Sequence, residues 1–204
     1  MLISNVIDHV RNRDYMSGVE RDRNRVKSTG EVFTPTPLVR EILDQLPQEL
    51  FEDPSKTFLD NSCGDGQFLG EVLIRKLEHV AVNECVTPEQ FEQALSSIYG
   101  VDLMIDNVDE CRRRLLCGSK NPKHIEIVEQ NIYRADGLKF SYNFEPMSNT
   151  RRERENALRR KAFRKAEKDK KDKKAQEFKD RATKLLGLAE PKTKSKTKKQ
   201  PVDQ

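Results

Sequence analysis

The chain has 204 residues, with 38 Lys and Arg against 34 Asp and Glu, a net charge of +4. Hydrophobic and charged residues each make up 35%, below and above the roughly 45–50% and about 25% of ordinary globular chains. No apolar run approaches the roughly 18 residues of a membrane-crossing helix, and charge comes too early in MLISNVIDHVRNRD for a signal peptide. No membrane partner is expected.

In chain order, residues 1–28 read as a charged helix with Val6, Val10 and Tyr15 as sparse apolar positions, followed by a stop or turn at Gly30. Pro35 and Pro37 force an extended approach. Leu38, Ile42, Leu43 and Leu46 then trace a helical face that stops at Pro47. Thr57–Asp60 reads as a short strand that meets the glycine turn Cys63-Gly64-Asp65-Gly66. Phe68, Leu69, Val72, Leu73 and Leu77 follow at helical spacing. A further helix is predicted from Pro88 to Leu95, since proline is tolerated in a first turn and Glu89 suits a helix N-terminus. Ser97–Asp102 reads as a second strand, and Ile105, Val108, Leu115 and Leu116 as another helix closed near Gly118. His124–Val128 alternates and is taken as a third strand. The alternating order predicts a parallel sheet with right-handed crossovers.

Four cysteines and three histidines stand without a CxxC pair, which gives a zinc site weak support and fits a reduced, cytosolic setting. The chemistry gathers instead at strand ends, where open parallel sheets bind ligands. Asp60, Asp102 and Asp136 stand at or just beyond the three strands, and Gly64 and Gly66 let backbone approach a ligand closely. Asp102 is placed to accept from ribose hydroxyls and Asp136 from an adenine amine, which together describe an adenosine-containing ligand. The missing third glycine of GxGxxG disfavours a dinucleotide. Each piece has an ordinary alternative: a Gly-Asp-Gly is also a tight turn, and an acid after a strand is also a helix cap.

Thr29-Gly30-Glu31-Val32-Phe33-Thr34-Pro35 followed by Asp60-Asn61-Ser62-Cys63-Gly64-Asp65-Gly66-Gln67-Phe68-Leu69 resembles the S-adenosylmethionine half of N6-adenine-specific DNA methyltransferases. Phe33, Thr34 and Pro35 are similar to that family's N-terminal cofactor motif. Asp60, Cys63, Gly64, Gly66 and Phe68 fall in its first strand and glycine loop. Tyr99-Gly100-Val101-Asp102-Leu103 resembles the ribose-binding motif, which contributes Asp102 and Leu103. Ala135-Asp136-Gly137-Leu138 resembles the adenine-contacting one, which contributes Asp136, Gly137 and Leu138. The resemblance covers about residues 29–140 and implies an α/β fold, a partial Rossmann-like class I methyltransferase sheet of three parallel strands. It also implies S-adenosylmethionine as cofactor, DNA as substrate and a setting in restriction-modification.

One departure is as informative as the match. The family's catalytic Asn/Asp-Pro-Pro-aromatic motif, which meets a base flipped out of the duplex, is absent, and no Pro-Pro dipeptide occurs. Phe140-Ser141-Tyr142-Asn143-Phe144-Glu145-Pro146 stands in its place and reads as a linker, with Asn143 and Pro146 a degenerate remnant as the alternative. No catalytic residue is therefore assigned. Three strands are fewer than the family's sheet, so one edge of the first strand is expected to be bare. The N-terminal helix, the tail helix, a second copy or a separate chain are the candidates to cover it.

Residues 1–150 carry 17 basic and 25 acidic side chains, whereas the remaining 54 carry 21 and 9. The domain plan is a charged N-terminal helix over 1–28, a cofactor-binding domain over 29–149, a charged basic helix over 150–189 and a disordered lysine-rich tail over 190–204. The tail has the charge that phosphate binding needs. Over 151–186, the alternative is a solvated helix in which Glu167, Asp169, Asp172, Glu177 and Asp180 pair with lysines. The functional expectation is an adenine-specific DNA methyltransferase homologue that is truncated or depends on another chain for catalysis. Its rival is a catalytically silent DNA- or partner-binding protein on a relict methyltransferase fold. A small-molecule or protein methyltransferase on the same fold ranks below both.

Overall fold

The computed structural model describes residues 1–11 and 34–185. Phe33, most of the expected N-terminal helix and the lysine-rich tail lie outside the described residues. Helix α1 (Ile3–Arg11) buries Val6 and Val10. Helix α2 (Thr36–Leu43) follows Pro35, with Pro37 in its first turn. Its inward residues are Val39 and Leu43, while Leu38, Ile42 and Leu46 are exposed, so only Leu43 of the expected apolar face is buried. A short helix α3 (Glu49–Glu52), unanticipated from the sequence, buries Phe51 and stacks it on Phe58, with ring centroids 5.1 Å apart.

Strand β1 (Phe58–Asp60) leads through the glycine loop into helix α4 (Gln67–Val80), which buries Leu69, Val72, Leu73, Ile74 and Leu77. Helix α5 (Pro88–Ser96) starts from a capping box in which Thr87 and Gln90 each bond the other's backbone N–H, satisfying two of the donors a helix start leaves open. Strand β2 (Ile98–Asp102) and helix α6 (Ile105–Leu116) follow.

The third strand is not His124–Val128. Those residues lie in helix α7 (Pro122–Asn131), and strand β3 is Ile132–Arg134. The local chemistry accounts for the correction. Asn121 caps the helix by accepting from Lys123 N, and Pro122 occupies the first turn. His124, Val128 and Asn131 are buried at helical spacing. Five alternating residues fit one face of a helix as readily as a strand.

The sheet is parallel in the order β1-β2-β3, with Asp60 opposite Gly100 and Asp102 opposite Arg134. Two right-handed crossovers that step the same way put their helices on the same side of a sheet. Accordingly α4 packs on α5 and α6, and α7 packs on both α5 and α6. The main core lies between this helical layer and the face bearing Phe58, Ile98 and Ile132. The opposite face bears Leu59, Tyr99, Val101 and Tyr133, because side chains alternate along a strand. Phe140 and Phe144 of the segment after β3 lie across it, with Tyr99–Phe144 and Tyr133–Phe140 centroids both 4.8 Å apart. The segment read as a linker does connect sheet to helix, as a packed layer rather than a loose tether.

The two outer strands are handled differently. On β3, the Ile132 carbonyl accepts from Arg112 Nη2 at 2.7 Å and Arg151 Nη2 at 3.1 Å. These arginines occupy an edge that would otherwise be open to another strand. Arg151 belongs to helix α8 (Asn149–Leu185), and Glu155 of the same helix binds Arg112 through both oxygens at 2.7 and 3.1 Å. Among the described residues, β1 pairs with β2 alone, and its Leu59 is 53% exposed. The described residues up to Arg159 form one compact unit and those from Arg160 onward a second. Among the described residues, no helix is long and apolar enough to cross a membrane.

Candidate functional site

All three strands run the same way, so their carboxyl ends and the loops that follow share one edge of the sheet. After β1, Asp60 Oδ1 accepts from Ser62 N at 3.0 Å, and Cys63 N reaches Val101 O at 2.9 Å. This extends the β1–β2 contact one step past the strand. The loop then turns through Gly64 (φ 53°) and Gly66 (φ 84°), left-handed conformations that side chains resist. At Gly66 there is also no room: a Cβ would lie 2.6 Å from Cys111 Sγ. Helix α4 can start at Gln67 because Gly66 makes this turn.

Asp102 closes the loop from the next strand. Its Oδ2 accepts from Gly64 N at 3.0 Å, and its Oδ1 from Met104 N at 2.7 Å and Asn107 Nδ2 at 3.2 Å. The side chain is buried, 7% exposed. A carboxylate has about four lone-pair positions, so three donors leave Oδ2 with one acceptor position beside the glycine loop. Burial pushes the Asp60 carboxyl up, and the nearby negative charge of Asp102 adds to this, against the opposing bond from Ser62. Cys63 is buried against Cys111. That thiol contact, its burial and the charges of Asp60 and Asp102 all raise its pKa, which makes it a poor nucleophile.

The third strand's loop meets the first. Ala135 N donates to Asp102 O at 3.0 Å, and Asp136 Oδ1 accepts from Leu138 N at 3.1 Å. Asp136 also pairs with Lys139 at 3.4 Å. A Cβ on Gly137 would lie 2.2 Å from Asn61 O, so the two loops touch at a point only glycine permits. Tyr142 Oη donates to Gly137 O at 2.5 Å and holds the loop there.

Asp60, Cys63, Gly64, Gly66, Asp102, Asp136 and Gly137 therefore stand at one edge. Leu103 (50% exposed) and Leu138 (94% exposed) flank it, whereas Phe68 turns inward against the core. Thr34 and Pro35 stand at the start of α2, a helix that packs on α4. No hydrogen bond among the described residues joins either of them to the strand-end loops. Asn143 is exposed and bonds Glu145 at 3.1 Å. Two cavities of about 500 Å³ lie elsewhere, one beside Glu71 and its arginines and one beside Glu155. Among the described residues, no cluster of His, Cys, Asp and Glu could hold a metal ion.

The sequence reading overlooked the pair that holds this loop from below. Arg114 is fully buried, and its Nη2 donates to Asp65 Oδ2 at 2.8 Å while its Nε donates to Asp65 O at 2.9 Å. Its Nη1 reaches Gln67 Oε1 at 2.9 Å and Val10 O at 3.2 Å. One guanidinium thus joins the glycine loop, the start of α4 and the end of α1. The signal was present: Arg114 lies between Cys111 and Leu115 on the apolar face of α6. Its place in the run Arg112–Arg114 made it resemble solvated charge.

No protein-family model matches the chain, and neither a curated protein nor a solved structure does.

Proposed function

We propose that this chain is the cofactor-binding part of an N6-adenine-specific DNA methyltransferase homologue, on a partial Rossmann-like class I methyltransferase sheet. The observation that carries the reading is the bond from Gly64 N to Asp102 Oδ2, which links the resembling glycine loop and ribose motif at one strand-end edge. The donor and acceptor set fits an adenosine group. Asp102 has one acceptor position left for a ribose hydroxyl, Asp136 offers a carboxylate to the adenine amine, and Gly64 and Gly66 keep side chains out of the approach. Thr34 and Pro35, with Phe33 before them, complete the resemblance on the methionine side.

When bound, S-adenosylmethionine supplies an electrophilic methyl group. The residues of this chain bind and orient it, and the Asn/Asp-Pro-Pro-aromatic motif, which no copy of this chain carries, would come from a different chain at the outer edge of β1. DNA is the substrate class, with the basic C-terminal region as its contact. Calorimetric titration with S-adenosylmethionine tests the cofactor claim, and absence of binding removes it.

The missing Asn/Asp-Pro-Pro-aromatic motif, with Phe140 and Phe144 packed on the sheet in its place, favours a second reading. In it, the fold is a relict and the chain a catalytically silent DNA- or partner-binding protein. Transfer of labelled methyl groups to DNA by the purified chain would exclude that reading.

A further inference from the structure

Residues 160–185 continue helix α8 within the second unit, and every side chain from Arg160 to Arg181 is exposed. The helix is solvated, as the alternative reading has it, but the lysine–acid pairs of that reading are not formed among the described residues. Among the described residues, Glu167, Asp169, Asp172, Glu177 and Asp180 form no ion pair, and Asp180 instead accepts from Gln176 Nε2 at 2.7 Å.

The charges are also sorted by face. At about 100° per residue, Arg160, Lys161, Arg164, Lys165, Lys168 and Lys171 fall within an arc of about 140°. Over 160–181, Asp172 is the one acid in that arc, and it lies beyond the last of the six. Glu167, Asp169, Glu177 and Asp180 all fall on the remaining surface, interleaved with Lys170, Lys173, Lys174 and Arg181. Helical geometry makes the six-cation stripe about 17 Å long at about 1.5 Å per residue. A DNA duplex carries one phosphate charge per about 1.7 Å of axis, so the same length offers about ten. The helix has no continuous apolar face for a membrane surface: between Arg160 and Arg181 its large apolar side chains are Phe163 and Phe178, about 22 Å apart along the axis at about 1.5 Å per residue.

We infer that the Arg160–Lys171 stripe is a docking surface for the phosphate backbone of double-stranded DNA. It reads charge spacing and no base edges. This deepens the DNA part of the reading above. Its test is independent of cofactor binding, so either can fail alone.

The test is fluorescence anisotropy of a labelled 20-base-pair DNA duplex with the full chain, titrated from low to moderate salt. Two fourfold variants carry equal net charge: R160Q/R164Q/K168Q/K171Q on the stripe and K170Q/K173Q/K174Q/R181Q on the other face. Glutamine preserves helix propensity, and circular dichroism verifies that both stay helical. Each lost phosphate contact reduces the log–log salt slope by about 0.9. The stripe variant is expected to lose about 3 to 4 in slope and the opposite-face variant less than about 1. Equal losses in the two variants would overturn the assignment, as would no DNA binding at low salt. Tighter binding to anionic phosphatidylserine vesicles or to a duplex RNA of the same sequence would also overturn it.

Discussion

Replacing Arg114 with methionine keeps the apolar stem that packs against Gly70 but removes the charge from the base of the glycine loop. Four acceptors lose their donor at once: Asp65 Oδ2, Asp65 O, Gln67 Oε1 and Val10 O. Asp65 and Arg114 are each about 1% exposed at the side chain, so water does not readily take over the bonds. Breaking one partner of such a buried pair costs about 3–5 kcal/mol. For a unit of this size that corresponds to a fall in melting temperature of about 6–20 °C. The assay is urea unfolding followed by circular dichroism, applied to R114M, D65N and the double variant. Removing the second partner after the first should add little, leaving a coupling energy above about 1 kcal/mol. A loss below about 1 kcal/mol in R114M, or strictly additive single effects, would refute the claim that this pair organises the loop.

Gly66→Ala should destabilise the chain by about 2–4 kcal/mol, from the left-handed backbone and the overlap with Cys111 Sγ together. In urea unfolding, adding Cys111→Ala should relieve only the overlap. Glu155 gives a pH signature. Burial alone raises its pKa, but the bond from Arg112 and the charges of Arg112, Arg151 and Arg159 outweigh this and hold it below the ordinary carboxylate value. A folded pKa below the unfolded one means stabilisation that is full above the unfolded value of about 4.3 and lost as pH falls through the folded one. Unfolding of wild type and Glu155→Gln, compared across pH, should therefore differ most near neutrality and converge in acid. A gap that holds constant with pH would contradict the assignment.

The sequence was most legible where local chemistry and tertiary packing agree. Pro88 with Thr87 and Gln90 fixes the start of α5, and Gly66 fixes the start of α4. Asp60 and Asp102 were readable because a βα unit puts its loop at the carboxyl end of the strand whatever the packing, whereas Asp136 follows Ile132–Arg134 and not the strand expected at His124–Val128. Residues 122–131 misled because a short alternating run is ambiguous, and the cap at Asn121 and Pro122 decides it. In α2, Val39 turned inward in place of Leu38 and Ile42, since the packing partner α4 selects the buried face from an apolar ring. Arg114 and Glu155 were hidden for a different reason. Buried charge is legible only from its partners, and Asp65 and Arg112 lie 49 and 43 residues away in the chain.

The central claim is that the strand-end edge built on Gly64 and Asp102 binds S-adenosylmethionine. Isothermal titration calorimetry of the cofactor into the wild-type chain and into Asp102→Ala tests it most directly, with thermal unfolding verifying that the variant is folded. The account predicts saturable binding by the wild type. It also predicts a loss of about tenfold or more in the variant, the value of a hydrogen bond to a charged group. No heat of binding from the folded wild-type chain, or equal affinity in a folded Asp102→Ala, would contradict it.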